Sequence, residues 1–429
     1  MTTQAVGGRL HALDALRAGA LFLGVLGHAT ISFFPDPSWV ADDRDTSAVL
    51  LVAFFVTHIF RMSLFFVIAG FFAHVLLEKR GVRGFALNRA KRIALPFLVF
   101  WPILLALLVF VAVWAAEYAG TGPFASQGSN GPTSTGGTGI AAALWRSLPL
   151  GHTWFLYVLI WLYAAALAFV GLTRLLDAEG RVAAAVDTLF RALGALHLLP
   201  ILLALPLAAV FLFGAHWTTT SGIRTPDFGL VPNLSAIVGF GTAFAVGWFV
   251  HRQPTLLNVW QRSWVLYWIA TAVLTVYCAR TMSAVVSGGL TVPSTGAAGL
   301  LVASAYPLAI WTWCFALLGT AIRFLSAENR VIRYLSDSSY WIYLVHLPLV
   351  VALQVWVSQW PLGWQVKYPL ILAIAIPILL ASYKLLVRNT FLGAWLNGRR
   401  YGRASRTPTA DGSMVSDVAP VRGRSDDVN

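Results

Sequence analysis

The residues best suited to chemistry in this sequence are ionisable side chains within long apolar runs. The first such run contains Asp14, Arg17 and His28. Ionisable groups inside a membrane helix cost free energy, so they are usually functional or paired. Histidine exchanges protons near neutral pH, which makes His28 a candidate general base. The alternative is a hydrogen-bonded structural histidine between helices.

Helical geometry places these three side chains on one stripe. Arg17 and His28 are eleven residues apart. At about 100° per residue this returns nearly to the same helix face, about 16 Å further along the axis. Asp14 lies one turn before Arg17 and is predicted to orient it. Gly24, one turn before His28, leaves room for another group to approach.

A second apolar run contains His58 and Arg61, one helical turn apart. A buried arginine needs an anionic or carbonyl partner. Arg61 is therefore predicted either to hold an oxygen of a bound donor or acceptor, or to pair with another helix.

The most basic stretch follows, with Arg89, Lys91 and Arg92 at the start of a third run. Arg89 and Arg92 are one turn apart if helical, and paired arginines suit phosphate oxygens. Anionic lipid head groups are the competing ligand.

Two later segments add candidate contacts. The sequence from His152 to Leu156 opens the fourth run, where Trp154 is either a site residue or part of an aromatic belt. The ninth run contains Tyr343 and His346, and His346 is predicted to be structural or to contact substrate.

Composition explains which elements position these residues. The 429-residue chain is 58% hydrophobic and only 11% charged, whereas soluble domains carry about 25% charged residues. A bilayer-spanning helix needs about 20 apolar residues. Ten runs qualify, and Pro200 and Pro206 interrupt the fifth: 10–34, 50–77, 93–116, 153–172, 196–213, 234–250, 264–282, 298–325, 338–357 and 368–387. The predicted fold is all-α, a polytopic membrane protein with about ten transmembrane helices.

Charge supports this count. With ten spans and a cytoplasmic N-terminus, 24 of the 30 Lys and Arg lie on the inward side and five, including Lys367, on the outward side. The positive-inside rule then predicts that both termini are cytoplasmic. The net charge of +13 reflects this topology rather than nucleic-acid binding, because the basic residues form no continuous face.

The domain prediction is simple. Residues 1–395 form one transmembrane domain with a mobile outward loop at about 119–139, and residues 396–429 form a disordered cytoplasmic tail. Run 10–34 contains charged residues and no cleavage pattern, so it is predicted to be a retained helix. The two cysteines, Cys278 and Cys314, have no metal-type spacing, and no metal site is predicted.

The pattern resembles the acyltransferase 3 family of membrane O-acyltransferases. Four segments carry the resemblance in order: Leu13-Asp14-Ala15-Leu16-Arg17 with His28, the run from Phe60 to Gly70, Arg89-Ala90-Lys91-Arg92, and Ser339-Tyr340 through His346-Leu347-Pro348. Many members carry W-S-L-x-x-E in the fourth span, but the run from Trp154 to Leu159 has no acid. With this missing acid and with Phe60-Arg61-Met62, the chain resembles the subgroup of the periplasmic-glucan biosynthesis protein C, which is linked to succinyl transfer.

The resemblance implies an activity and its residues. His28 would be the catalytic base, Arg17 would support it or the donor, and Arg89 and Arg92 with Lys91 would hold coenzyme A phosphates. The donor co-substrate would be acetyl-CoA or succinyl-CoA, with no bound cofactor. The acceptor would be a carbohydrate or glycoside outside a bacterial cytoplasmic membrane.

Two other functions remain open at this point. A transporter or flippase of an acylated or anionic solute also uses intramembrane histidines and arginines. A sensor of coenzyme A thioesters or lipids without catalysis is the third possibility. Neither the acceptor nor the oligomeric state follows from the sequence.

Overall fold

The structure, a computed structural model, describes residues 3–35, 39–121, 149–177, 179–213, 217–218, 222–288 and 296–398. Its helices are α1 Thr3–Thr30, α2 Ala48–Arg89, α3 Leu95–Ala119, α4 Trp154–Leu176, α5 Arg181–Ala195, α6 Leu199–Phe213, α7 Leu234–Arg252, α8 Pro254–Arg262, α9 Trp264–Val286, α10 Gly296–Phe324, α11 Arg330–Ser358, α12 Trp364–Ser382 and α13 Phe391–Leu396. Two short strands, β1 Trp217–Thr218 and β2 Gly222–Ile223, pair antiparallel.

The all-α polytopic prediction is confirmed in its coarse form. Within the described residues, eight helical stretches are long and apolar enough to cross a membrane, or nine with one bent helix pair. Each of the ten predicted runs overlaps one of the helices. The short helices α5, α8 and α13 were not predicted, because they are too short or too polar to register as spans.

The stretch Ala48–Ala119 reverses its direction. Its 72 residues would extend about 108 Å as one straight helix, far more than a bilayer core of about 30 Å. Gly81 breaks the helix with φ of 64°, a conformation open to glycine because it lacks Cβ. The stretch begins directly after the loop 39–47, and the chain just beyond its far end returns to that loop, where Thr121 Oγ1–H donates to Val40 O at 3.4 Å.

The fifth predicted run is a bent pair. Helices α5 and α6 meet at 109°, and α6 has only 15 residues. The expected interruption by Pro200 and Pro206 is wrong, since α6 runs through both. Pro200 lies in the first turn, where a missing N–H costs little, and neighbouring helices can satisfy the carbonyls that Pro206 frees.

Helices α2 and α7 approach each other closely at two glycines. A Cβ added at Gly70 would overlap the carbonyl of Phe244, and one at Gly247 would overlap that of Val67. Small residues at membrane-helix crossings allow such backbone contact, which supplies much of the packing energy between spans. This crossing holds α2, and therefore Arg61, in its place beside α1.

One charged residue lies differently from the prediction. Lys367 was assigned to an outward loop, but it lies in the first turn of α12 and its side chain is 2% exposed. Its Nζ donates to Asp43 Oδ2 at 2.7 Å and to Ser358 O at 3.3 Å. The ion pair with Asp43 ties the loop 39–47 to α12, which allows burial of both charges.

The two predicted non-membrane segments fall largely outside the described residues. For the loop at about 119–139 these are residues 122–139, and for the tail at 396–429 they are residues 399–429. Residues 391–398 are described, and they form α13 and a turn against residues 91–92.

Candidate active site

A cavity of about 1260 Å³ runs between helices α1, α2, α4 and α11. One end, called here the arginine end, is lined by Asp14, Arg17, Arg89 and Arg92. The other, called the loop end, is lined by Trp39, Thr225 and Asp227. His28 lies between them, so a single cavity joins residues from four separate segments of the sequence.

His28 belongs to a cluster of three histidines. Its ring centroid lies 5.2 Å from that of His346, which lies 5.5 Å from that of His152. All three line the cavity. His28 Nδ1, His152 Nδ1 and His346 Nε2 are buried and have no hydrogen-bond partner. Such groups cost free energy unless a ligand or water satisfies them.

A hydrogen-bond chain fixes the backbone at His28. Trp39 Nε1–H donates to Gln354 Oε1 at 3.0 Å, and Gln354 Nε2–H donates to His28 O at 2.9 Å. The carbonyl of His28 lies in the last turn of α1, where it lacks an intrahelical partner. Gln354 supplies that partner and connects His28 to the loop end.

Arg61 enters the cavity from α2 through space left by two glycines of α1. A Cβ would lie 3.7 Å from its NH1 at Gly24 and 3.0 Å at Gly27. NH1 donates to Leu23 O at 3.2 Å, and NH2 donates to His58 Nε2 at 3.2 Å. His58 Nδ1–H in turn donates to Phe54 O at 2.9 Å. Arg61 is 4% exposed and, among the described residues, makes no ion pair with a carboxylate.

Arg17 and Asp14 form a separate group nearer the arginine end. Arg17 NH2 lies 3.3 Å from Asp14 Oδ1 and donates to Ser336 Oγ at 2.6 Å. Ser336 Oγ–H donates to Asp14 Oδ1 at 3.2 Å. Asp14 therefore does hold Arg17, together with Ser336 on α11. Arg17 and His28 lie on the same face of α1, and Arg17 is about 16 Å nearer the arginine end along the helix axis.

The basic stretch begins at Arg89, the last residue of α2, and continues into a π-helix, Ala90–Ala94, that leads to α3. Such segments occur often at functional sites because they redirect side chains. Arg89 faces the ring of Tyr163 at 5.2 Å, and Arg92 NH1 donates to Asn397 O at 3.3 Å. Both line the cavity, whereas Lys91 is exposed and does not line it.

The remaining predicted contacts also line the cavity. Trp154 is only 7% exposed and stacks on Phe240, with centroids 5.3 Å apart, so it is not a surface belt ring. Tyr343 OH donates to His152 O at 2.7 Å. His58 lines the cavity beside Arg61.

Sequence reasoning missed several lining residues. His152 was noted at the start of the fourth run but not assigned to the site, and its imidazole next to an apolar run was the available signal. Ser336, Thr225 and Asp227 carry no local signal, because only the tertiary fold brings them to the cavity. In the described part of the chain, no group of three or more His, Cys, Asp or Glu is arranged to hold a metal ion.

Asp227 lies on the loop between β2 and α7, outside the spans. Its carbonyl accepts from Leu150 N–H at 2.7 Å, which holds this loop against the start of α4. Burial raises the pKa of its carboxyl, and the backbone N–H, Arg224 and Thr225 offset part of that effect.

Comparison with known proteins identifies the family. Residues 10–384 match the family model of the acyltransferase domain of the acyltransferase 3 family. The chain belongs to this family. The matched range contains every lining residue except Leu396 and Asn397.

Curated relatives of this chain include the proteins named glucans biosynthesis protein C from Salmonella paratyphi B and Salmonella heidelberg. Each is 26% identical over 152 residues, which is 35% of this chain and 36% of the relative. The chain thus matches only about a third of the length of these relatives. No solved structure matches the chain.

Proposed function

We propose that this acyltransferase moves an acetyl or succinyl group from a coenzyme A thioester to a hydroxyl of a carbohydrate-type acceptor. The observation that supports this most is the single cavity that joins Arg89 and Arg92 to the cluster around His28. The names of the relatives refer to glucans, and an acceptor of this class is proposed by extension.

The donor binds at the arginine end in this proposal. Its phosphates contact Arg89 and Arg92, where charged guanidinium groups suit phosphate oxygens. Lys91, which is exposed and does not line the cavity, adds positive charge next to them in sequence. The pantetheine arm passes Arg17, which Asp14 and Ser336 hold in place. The axial separation of about 16 Å between Arg17 and His28 suits an extended arm that delivers the thioester to His28.

The transfer step consists of one proton transfer and one exchange of bonds at the acyl carbon. His28 takes the proton of the acceptor hydroxyl, and the oxygen attacks the thioester carbonyl. A C–O ester bond forms, the C–S bond breaks, and the departing thiolate takes the proton. Arg61 donates N–H groups to the developing oxyanion. With a succinyl donor, the positive charge of Arg61 instead holds the free carboxylate of the succinyl group.

The membrane arrangement is part of the proposal. Ala48–Ala119 contains two crossings that meet at Gly81, and the bent pair α5 and α6 forms one, which gives ten spans with both termini on the same side. The excess of Lys and Arg supports an orientation with the arginine end at the cytoplasm of a bacterial inner membrane, where coenzyme A thioesters are made. The acceptor then reaches the loop end from outside.

The test is thiol release and transfer by purified protein in detergent. Acetyl-CoA and succinyl-CoA are offered separately, with and without a mixed glycan extract. We expect release with one donor, and a loss of at least a hundredfold in His28→Ala. His197→Asn is the control, because His197 lies outside the cavity and is hydrogen-bonded to Tyr267 OH. Asparagine also tolerates the positive φ of 58° at this position. Near wild-type transfer by His28→Ala would rule out His28 as base, and no release with either donor would favour transport.

A further inference from the structure

Residues 391–398 cross the arginine end of the cavity, and they lie outside the range that matches the family. The family match ends at residue 384. Leu396 and Asn397 nevertheless line the cavity together with Arg92. Leu396 is only 4% exposed, so the segment is packed into the wall of the cavity. This part of the wall is therefore supplied by the chain outside the matched domain.

The backbone of the basic stretch explains why the segment docks there. Leu95 N–H donates to Ala90 O in the π-helix, and residue 96 is a proline, which has no N–H. The carbonyl of Lys91 therefore lacks both of its usual helical donors, those four and five residues ahead. Trp395 Nε1–H donates to this carbonyl at 2.9 Å. The π-helix thus creates the acceptor that holds the segment.

The end of the segment holds the guanidinium of Arg92. Arg92 NH1 donates to Asn397 O at 3.3 Å, and Asn397 Nδ2–H donates to Asp337 O at 2.8 Å, which ties the segment to α11. Gly398, with φ of 71°, lies against the guanidinium, so an added Cβ would overlap it. A guanidinium carries five N–H groups in one rigid plane. A carbonyl at one edge and a backbone at its side therefore set the direction of the whole group.

We propose that Asn397 and Gly398 are positioning residues, which aim Arg92 at a phosphate group of the donor. This inference rests on the proposed function, in which the donor is a coenzyme A thioester. Direction matters because a guanidinium binds phosphate best through two parallel N–H groups. Arg89 is oriented separately, by the ring of Tyr163, whose centroid lies 5.2 Å from its Cζ. Each arginine of the pair has its own support, and that of Arg92 comes from outside the matched domain.

The experiment compares two donors that carry the same acyl group, the coenzyme A thioester and the acyl-pantetheine, which lacks the nucleotide and every phosphate. Gly398→Ala adds the Cβ that displaces Arg92. Gly180→Ala is the matched control, because it places alanine at a similar positive φ of 69° with no atom within 4 Å. We expect Gly398→Ala to raise KM for the coenzyme A thioester roughly tenfold or more, as for the loss of a hydrogen bond to a charged group, with kcat within about twofold. KM for the acyl-pantetheine should not change.

A second variant tests the anchor without adding bulk. Trp395→Phe removes the N–H that reaches Lys91 O and keeps a ring next to Phe100. Trp268→Phe is its control, because the indole N–H of Trp268 also donates within the protein, to Thr320 Oγ1 at 2.9 Å, and Trp268 does not line the cavity. We expect Trp395→Phe to raise KM for the coenzyme A thioester about threefold or more, and Trp268→Phe to leave it unchanged.

A loss of kcat with both donors in Gly398→Ala would mean that the segment only stabilises the fold, and an unchanged KM for the coenzyme A thioester would mean that Arg92 acts without it. Either result overturns the inference. Calorimetric titration of free coenzyme A separates this failure from failure of the proposed function. Weaker binding to Gly398→Ala than to wild type supports the positioning role even without turnover, whereas equal or tighter binding rejects it. No binding of coenzyme A to the wild-type protein would refute the proposed donor and this inference with it.

Discussion

Gly24 and Gly27 both face the guanidinium of Arg61, but at different distances. A Cβ at Gly27 would lie 3.0 Å from NH1, whereas one at Gly24 would lie 3.7 Å away, in ordinary contact. Arg61 has little freedom to move, since Leu23 O and His58 Nε2 both hold it. Gly27 is therefore the glycine at which an added methyl group displaces Arg61.

We expect Gly27→Ala to reduce acyl transfer roughly tenfold or more, since a hydrogen bond to a charged group contributes roughly 1.5–3 kcal/mol. Gly19→Ala is the control, because a Cβ at Gly19 of α1 would meet no atom within 4 Å and Gly19 does not line the cavity, and both changes raise helix propensity equally. The measurement is kcat/KM for the donor identified by thiol release. Equal activity of the two variants would show that the position of Arg61 is not important for transfer.

Asp227 gives a dependence of stability on pH. Because burial raises its pKa, the folded state holds the proton more tightly than the unfolded state. The stability contribution of this group is then highest below the unfolded value of 3.8 and is lost as pH rises through the raised folded pKa. The ionised carboxylate at neutral pH lies in a partly buried loop and destabilises it.

We therefore expect Asp227→Asn to have a higher Tm than wild type at pH 7 and an equal Tm near pH 3.5. Thermal unfolding in detergent, followed by tryptophan fluorescence, measures this difference across the pH range. A difference that does not change with pH would mean that the carboxyl is not perturbed in the folded protein.

At the scale of elements, the crossing of α2 and α7 leaves no room for a larger side chain at its glycines. The carbonyl of Val67 would overlap a Cβ at Gly247, and a backbone atom cannot move aside as a side chain can. We expect Gly247→Ala to lower Tm strongly and to reduce the monodisperse fraction in size-exclusion chromatography. On the same helix, Gly241→Ala meets only Leu162 Cδ2 at 3.7 Å and should behave as wild type. Equal behaviour of the two variants would contradict the close crossing.

The elements also show what the sequence could predict. The spans were predictable because each depends on a local property, a run of about 20 apolar residues. The stripe of Asp14, Arg17 and His28 was predictable because helical geometry fixes it. The burial of Lys367 was not, since its partner Asp43 is more than 300 residues away. For the same reason, contact between residues distant in sequence, neither Asp227 nor His152 could be assigned to the cavity from the sequence. His152 is recognised as a site residue only because the fold brings it next to His346.

At the scale of the whole molecule, the direction of the chain in the membrane decides what the cavity can do. The proposed function needs the arginine end at the cytoplasm, because the donor is made there, and the loop end outside, where the acceptor arrives. The positive-inside rule favours that direction through the excess of Lys and Arg on one side. Two exposed residues report on it, Glu328 in the loop just before α11 and Arg44 in the loop 39–47.

We expect a membrane-impermeant maleimide to label Arg44→Cys in spheroplasts and Glu328→Cys only after the membrane is broken. Labelling of the native cysteines is expected to be low, because Cys278 and Cys314 are both buried. Each variant is first checked for acyl transfer, so that labelling reports on the functional protein. Labelling of Glu328→Cys in intact spheroplasts would place Arg89 and Arg92 outside the cell. A cytoplasmic coenzyme A thioester could not then reach them, and the direction of transfer proposed for this cavity would be wrong.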